Sequence, residues 1–127
     1  MPVGVLMSLW FKFPHNKEPT FVYFCPLGKM NSIQHITAIE LQQKFADGQS
    51  PFLLDVREGF EHDAFNIGGM HIPLGEVLLQ VGQIPTDKPV IVYCRKGIRS
   101  IIAIQKLQQK GFTNLINLQG GVEKWER

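Results

Sequence analysis

Three short apolar runs, Phe52-Leu-Leu-Asp-Val56, Val90-Ile-Val-Tyr-Cys94 and Leu115-Ile-Asn-Leu118, recur along this chain with helix-length segments between them. A run of four or five apolar residues bounded by turn residues is the pattern of a strand buried on both faces. A parallel sheet covered by helices on each side provides that environment. The first run follows Pro51 and ends in the charges Arg57 and Glu58, as a buried strand does when it emerges at the end of a sheet.

The intervening segments carry helix signals. Thr37-Ala-Ile-Glu40 has the capping-box pattern, with Ile36 and Leu41 spaced as its hydrophobic staple, and predicts a helix ending near Gly48. A second helical stretch runs from about Gly59 to Phe65. It is followed by a Gly68-Gly69 turn, a short extended His71-Ile-Pro-Leu74 and an apolar stretch from Glu76 to Val81. Ser100 to Lys110 is apolar on one side, cationic in its last turn and stopped by Gly111, which predicts a third helix. Strands alternating with helices imply an α/β domain: a small parallel sheet in three layers with right-handed crossovers.

A length of 127 residues allows one core of ordinary size, and 44% hydrophobic against 19% charged residues excludes disorder over most of it. Residues 1–30 stand apart. They hold six of the thirteen aromatics (Trp10, Phe11, Phe13, Phe21, Tyr23, Phe24) and four of the eight prolines, with no clear period. They also carry the whole net charge of +2, since residues 31–127 have ten basic and ten acidic side chains. No basic residue precedes the apolar stretch Val3 to Phe11 and no small-residue cleavage site follows it, so it does not read as a signal peptide. The expectation is a poorly ordered or peripheral extension, or an added edge strand, ahead of a domain over residues 31–127, with Met30 as an alternative start. A chain beginning at Met30 is expected to keep fold and activity. The small net charge argues against nucleic acid or an anionic membrane as the main partner, and no apolar stretch is long enough for a membrane span. Two cysteines, Cys25 and Cys94, make no disulfide scaffold, and no paired Cys/His metal spacing is present, so no metal is expected and a reducing, cytoplasmic setting is.

The chemistry converges on Cys94. In open parallel sheets ligands bind beyond the carboxyl ends of the strands, and Cys94 lies at such an end. A lone cysteine there is more often an inert core residue. Three cations follow it within five residues, however: Arg95, Lys96 and Arg99, with no acidic residue before Glu123. Cations and a following helix N-terminus both favour a thiolate. Gly97 lets the loop curl so that successive backbone N–H groups can form a nest around an anion on or beside the sulfur.

Cys94-Arg-Lys-Gly-Ile-Arg99-Ser100 resembles the active-site loop of rhodanese-type sulfurtransferases. Leu54-Asp-Val-Arg57-Glu58, His71-Ile-Pro73 and Leu118-Gln-Gly-Gly-Val-Glu-Lys-Trp125 are similar to further family signatures, so the likeness covers about Ile33 to Arg127. It implies a single-domain rhodanese in which Cys94 accepts a sulfane sulfur from a donor such as thiosulfate and passes it to cyanide or a thiol. The start Cys-Arg-Lys-Gly is that of thiosulfate-using members. Met70 before His71 and Leu74 after Pro73 depart from the common family form, and Asn66-Ile-Gly-Gly69 resembles the variant in sulfurtransferase domains attached to ubiquitin-like activating enzymes. With four residues between Cys94 and Arg99, the loop is one residue shorter than cysteine phosphatases use, which disfavours phosphatase activity.

The resemblance implies no cofactor beyond a covalent persulfide on Cys94. It implies as partners a small anionic sulfur donor and a thiol acceptor such as glutathione or thioredoxin, or a sulfur-accepting protein. Cys94 is the expected catalytic residue. Arg95 and Lys96 are assigned to the donor anion, with a solvated charge the alternative for Lys96. Arg99 is assigned to the rim, and the amides of Arg95, Lys96, Gly97, Ile98 and Arg99 to the persulfide. Asp55 and Arg57 are expected to support the site structurally. His35, His62 and His71 are expected to be surface or hydrogen-bonding residues with no paired aspartate, Glu58, Glu61 and Asp63 a solvated acidic face, and Phe112 and Trp125 packing residues. The competing reading is a persulfide carrier that delivers sulfur to a partner in cofactor or tRNA thiolation. A catalytically silent binding fold is disfavoured by the intact Cys94 and its basic loop.

Overall fold

Thr37 begins the first helix as its spacing requires. In a computed structural model, which describes residues 32–125, the Thr37 side chain accepts from the Glu40 amide and the Glu40 side chain accepts from the Thr37 amide, closing the capping box. The helix it starts, α1 (Ala38–Ala46), ends at Asp47 before Gly48, whose φ of 86° takes the chain out of the helical turn. Leu41, the inner half of the staple, is fully buried.

The remaining elements follow in the order β2 (Phe52–Asp55), α2 (Gly59–Ala64), β3 (Met70–His71), a 3-10 segment (Leu74–Gln83), β4 (Val90–Tyr93), α3 (Ile98–Gln108), β5 (Leu115–Leu118) and α4 (Gly121–Trp125), with β1 (Gln34–Ile36) ahead of α1. All pairings are parallel and the strand order is β1-β5-β4-β2-β3. The three apolar runs are the three inner strands. Every residue of β4 and β5 is buried, as expected of strands covered on both faces. Val90, Val92, Leu115 and Cys94 point to one side with Leu54, and there they pack with Ala103, Ile104 and Leu107 of α3 and Val77 of the 3-10 segment. Ile91, Tyr93, Ile116 and Leu118 alternate to the other side, where α1 and α4 meet through an edge-on contact of Phe45 and Trp125. Three layers result.

Three details differ from the sequence reading. The third helix begins at Ile98, two residues before Ser100, because Gly97 adopts φ 99° and lets Ile98 and Arg99 join the first turn. The extended piece expected at His71–Leu74 is a strand only at Met70–His71. Its pairing continues as hydrogen bonds from the Ile72 amide to the Asp55 carbonyl and from the Leu74 amide to the Val56 carbonyl. Gln34–Ile36, read only as the approach to a helix, adds an edge strand on β5. The expectations for residues 1–30, Cys25 included, lie outside the described residues.

Candidate active site at the end of β4

Cys94 follows the last residue of β4, and the chain curls back over its sulfur. The sulfur accepts hydrogen bonds from the backbone N–H groups of Gly97, at 3.1 Å, and Ser100, at 3.3 Å. These donors need the left-handed turn at Gly97, where an added Cβ would also meet the Gly120 nitrogen at 3.2 Å. The loop is held from below as well. The amides of Val122 and Glu123 at the start of α4 donate to the carbonyls of Cys94 and Arg95. Gly121, at φ 66°, sits so close under the loop that a Cβ there would lie 2.2 Å from the Arg95 carbonyl oxygen. The paired glycines thus let one helix start dock on the backbone of the Cys94 loop.

Arg95, Lys96 and Ile98 are exposed, Gly97 is buried and Arg99 half-buried, while Cys94 itself is only 1% exposed. The three cations are not equivalent. Arg99 reaches α2 and makes a two-pronged ion pair with Glu61, at 2.7 and 2.9 Å. Hydrogen bonding from Arg99 holds the Glu61 carboxyl down to about 2, and the same bonds raise Arg99 above its ordinary value. Arg95 and Lys96 pair with no carboxylate among the described residues. Among the described residues, the positive charge of the loop that no ion pair offsets therefore comes from these two.

Asp55 and Arg57 meet at the end of β2. Arg57 donates to both Asp55 oxygens at 2.9 Å and to the Phe65 carbonyl, and its backbone N–H also donates to Asp55. Burial alone would raise the Asp55 carboxyl, but the bonds from Arg57 and His62 outweigh it and hold the group below the usual carboxylate range. Three side chains read as bland prove otherwise. His62 Nδ1 lies 2.8 Å from Asp55 Oδ2 and its ring stacks on His71 at 4.5 Å, so it does have a paired aspartate. Glu61 belongs to the loop's support through Arg99, and Glu58 and Glu61 form a second capping box, so these two do more than line a solvated acidic face. No group of three or more His, Cys, Asp or Glu among the described residues is placed to hold a metal ion, and no described helix is long and apolar enough to cross a membrane.

Neither Ser100 nor Asn117 is assigned a role in the site from the sequence alone. Ser100 is fully buried, with its oxygen 3.4 Å from the Cys94 sulfur, and its hydroxyl donates to Asn117 Oδ1. The signal for Asn117 was present: a polar side chain inside a four-residue apolar run must find a buried partner.

A cysteine at the carboxyl end of a parallel strand is caught in a nest of amides, with Arg95 and Lys96 of the same loop paired to no carboxylate among the described residues, an arrangement suited to holding an anion on sulfur. The family model described as a rhodanese-like domain matches residues 37–127, and the chain belongs to that family of sulfurtransferases. A sulfurtransferase of Allochromatium vinosum is 32% identical over 101 residues, spanning 75% of this chain and 90% of that protein. The thiosulfate sulfurtransferase GlpE of Shewanella oneidensis is 32% identical over 97 residues, spanning 76% and 95%. A rhodanese-related protein of Thermoplasma volcanium, solved by crystallography, superposes with a TM-score of 0.64 at 30% identity, over 73% of this chain and 90% of that one.

Proposed function

We propose that this protein moves a sulfane sulfur from thiosulfate or a similar small anionic donor to a thiol or cyanide, through a persulfide on Cys94. The observation that carries the reading is the Cys94 sulfur held by the Gly97 and Ser100 amides in a loop whose exposed cations, Arg95 and Lys96, pair with no carboxylate among the described residues. The Cys94 thiolate attacks the outer sulfur of thiosulfate. A new S–S bond forms, the old one breaks, and sulfite leaves with the electron pair. An acceptor thiolate or cyanide then attacks the outer sulfur and returns Cys94 as thiolate. Neither step needs a metal or a redox cofactor, because both displacements conserve electrons between named partners. Arg95 and Lys96 bind the anionic donor and the loop amides take the charge on sulfur. The burial of Cys94 favours a donor small enough to enter without moving the loop.

One observation favours a second reading, a persulfide carrier for a partner protein. Ile98, 65% exposed, and Phe60, 74% exposed, each adjoin a member of the Arg99–Glu61 pair and give the loop an apolar rim. Steady-state turnover with thiosulfate and cyanide, against transfer to thioredoxin or glutathione, tests both. Turnover lost in Cys94→Ser supports the sulfurtransferase. Persulfide formation without turnover on any small acceptor supports the carrier, and turnover independent of Cys94 refutes both.

A further inference from the structure

A continuous line of buried polar groups leads away from the Cys94 sulfur across the sheet. The sulfur lies 3.4 Å from Ser100 Oγ, the Ser100 hydroxyl donates to Asn117 Oδ1, and Asn117 Nδ2 lies 3.1 Å from His35 Nδ1. Cys94, Ser100 and Asn117 are each at most 2% exposed, while His35 is exposed on the edge strand β1, in direct register with Asn117. We propose that these four side chains form one polarised hydrogen-bond relay in which Asn117 and His35 are positioning residues that set whether the Ser100 hydroxyl donates to the Cys94 sulfur.

The argument is one of counting protons. A serine hydroxyl has a single proton to donate. In the observed arrangement it goes to Asn117, so Ser100 faces the sulfur with lone pairs and can only accept from the S–H of a thiol. A thiolate has no such proton, and neither has the inner sulfur of a persulfide. In both states the Ser100 hydroxyl gains by turning to the sulfur, which strands Asn117 Oδ1 unless the whole line reverses. Reversal is geometrically cheap. The Asn117 amide turns over, since its oxygen and nitrogen have nearly the same size, so that Nδ2 donates to Ser100 Oγ and Oδ1 accepts from His35. His35 must then carry a proton on Nδ1. It takes that proton from water on its exposed side and, when neutral, gives up the one on Nε2. The thiol proton leaves through the mouth of the site and none crosses Asn117.

The charged groups concerned are those of the described residues. Beside the sulfur are Arg95, Lys96 and Arg99 of the loop, the last tied to Glu61 of α2. From α4, whose amides hold the loop, come Glu123 and Lys124. The end of β2 has the mutually paired Asp55, Arg57 and His62. β5 contributes no titratable group, and no carboxylate among the described residues pairs with His35. Partial burial lowers His35 below its ordinary value, so near neutral pH it serves the relay by exchanging which nitrogen holds the proton. No net charge is carried inward.

The inference rests on Cys94 as the reacting sulfur, and alkylation reads the thiol with no sulfur donor present, so a failed relay and failed sulfur transfer show separately. In a Cys25→Ser background the rate of Cys94 alkylation by iodoacetamide is followed against pH. Ser100→Ala is expected to move the midpoint up, cutting the thiolate population below it about tenfold, as loss of a hydrogen bond to a charged group does. Ser100→Thr, which keeps the hydroxyl, is expected to restore it. His35→Ala, at an exposed position that leaves the fold intact, is expected to cut the same population about threefold, and to have no effect once Ser100→Ala is present. An unchanged midpoint in His35→Ala, or an equal shift in both backgrounds, overturns the relay. Nitrogen-15 spectra of labelled histidine give a second reading: Nδ1 of His35 should gain a proton when Cys94 becomes persulfidated, and a His35 unchanged between the two states refutes the proposal.

Discussion

Replacing Gly121 by alanine puts the fit between α4 and the active loop under direct strain. The added Cβ would lie 2.2 Å from the Arg95 carbonyl oxygen and 2.5 Å from that of Cys94, both backbone atoms that cannot rotate away. Ordinary contact requires the helix start and the loop to separate by roughly 1 Å. Both hydrogen bonds that join them, from the Val122 and Glu123 amides at 3.0 Å, then lengthen beyond use. Two lost hydrogen bonds at about 1 kcal/mol each, plus about 1–2 kcal/mol for a side chain at positive φ, give a destabilisation of about 3–4 kcal/mol. Urea unfolding measures that loss. Because the displaced segment carries Cys94 and its amide donors, turnover with thiosulfate is expected to fall about 100-fold in the fraction that remains folded, the usual effect of a misplacement of about 1 Å. Stability within about 1 kcal/mol of wild type, with full turnover, would mean that α4 does not brace the loop.

Asp55→Asn leaves the buried Arg57 guanidinium without its carboxylate, and chemical denaturation should show a loss of about 3–5 kcal/mol. The carboxyl of Glu61, held down to about 2 in the folded protein against 4.5 ordinarily, binds fewer protons than the unfolded chain between those values. Stability from the Arg99–Glu61 pair is therefore complete above about pH 4.5 and drains away as pH falls towards 2. Glu61→Gln should make the acid limb of a stability–pH curve shallower in that window, and an unaltered limb would contradict the pairing. Thr37→Ala removes the first helix's cap and should lower stability by about 1 kcal/mol. Arg95→Ala and Lys96→Ala should raise KM for thiosulfate more than they lower kcat, with the difference growing at low salt; kinetics equal to wild type at every ionic strength would return both residues to a solvated surface.

The inner strands, the capped first helix and the position of Cys94 were legible because each depends on local signals: apolar runs, side-chain spacing around Thr37, and a glycine three residues past the cysteine. β1 was not, since a three-residue edge strand has too little pattern to separate from a helix approach, and its pairing with β5 joins residues more than eighty positions apart. The same separation hid the support of the site. Glu61 lies thirty-eight residues before Arg99, and in sequence it belongs to an acidic cluster that looks like a solvated face. His62 found its aspartate because the turn after β2 folds α2 back over the strand end, which composition does not encode. The sequence pattern starts a helix at Ser100, whereas the left-handed Gly97 moves that start to Ile98 and turns the Ser100 hydroxyl inward.

Intact mass followed by peptide mapping after incubation with thiosulfate tests the central role of Cys94 most directly. The full chain is expected to gain one sulfur atom, located on the peptide containing Cys94, removable by cyanide or dithiothreitol and absent in Cys94→Ser. A sulfur adduct on Cys25 in place of Cys94, or an adduct that persists in Cys94→Ser, would contradict it.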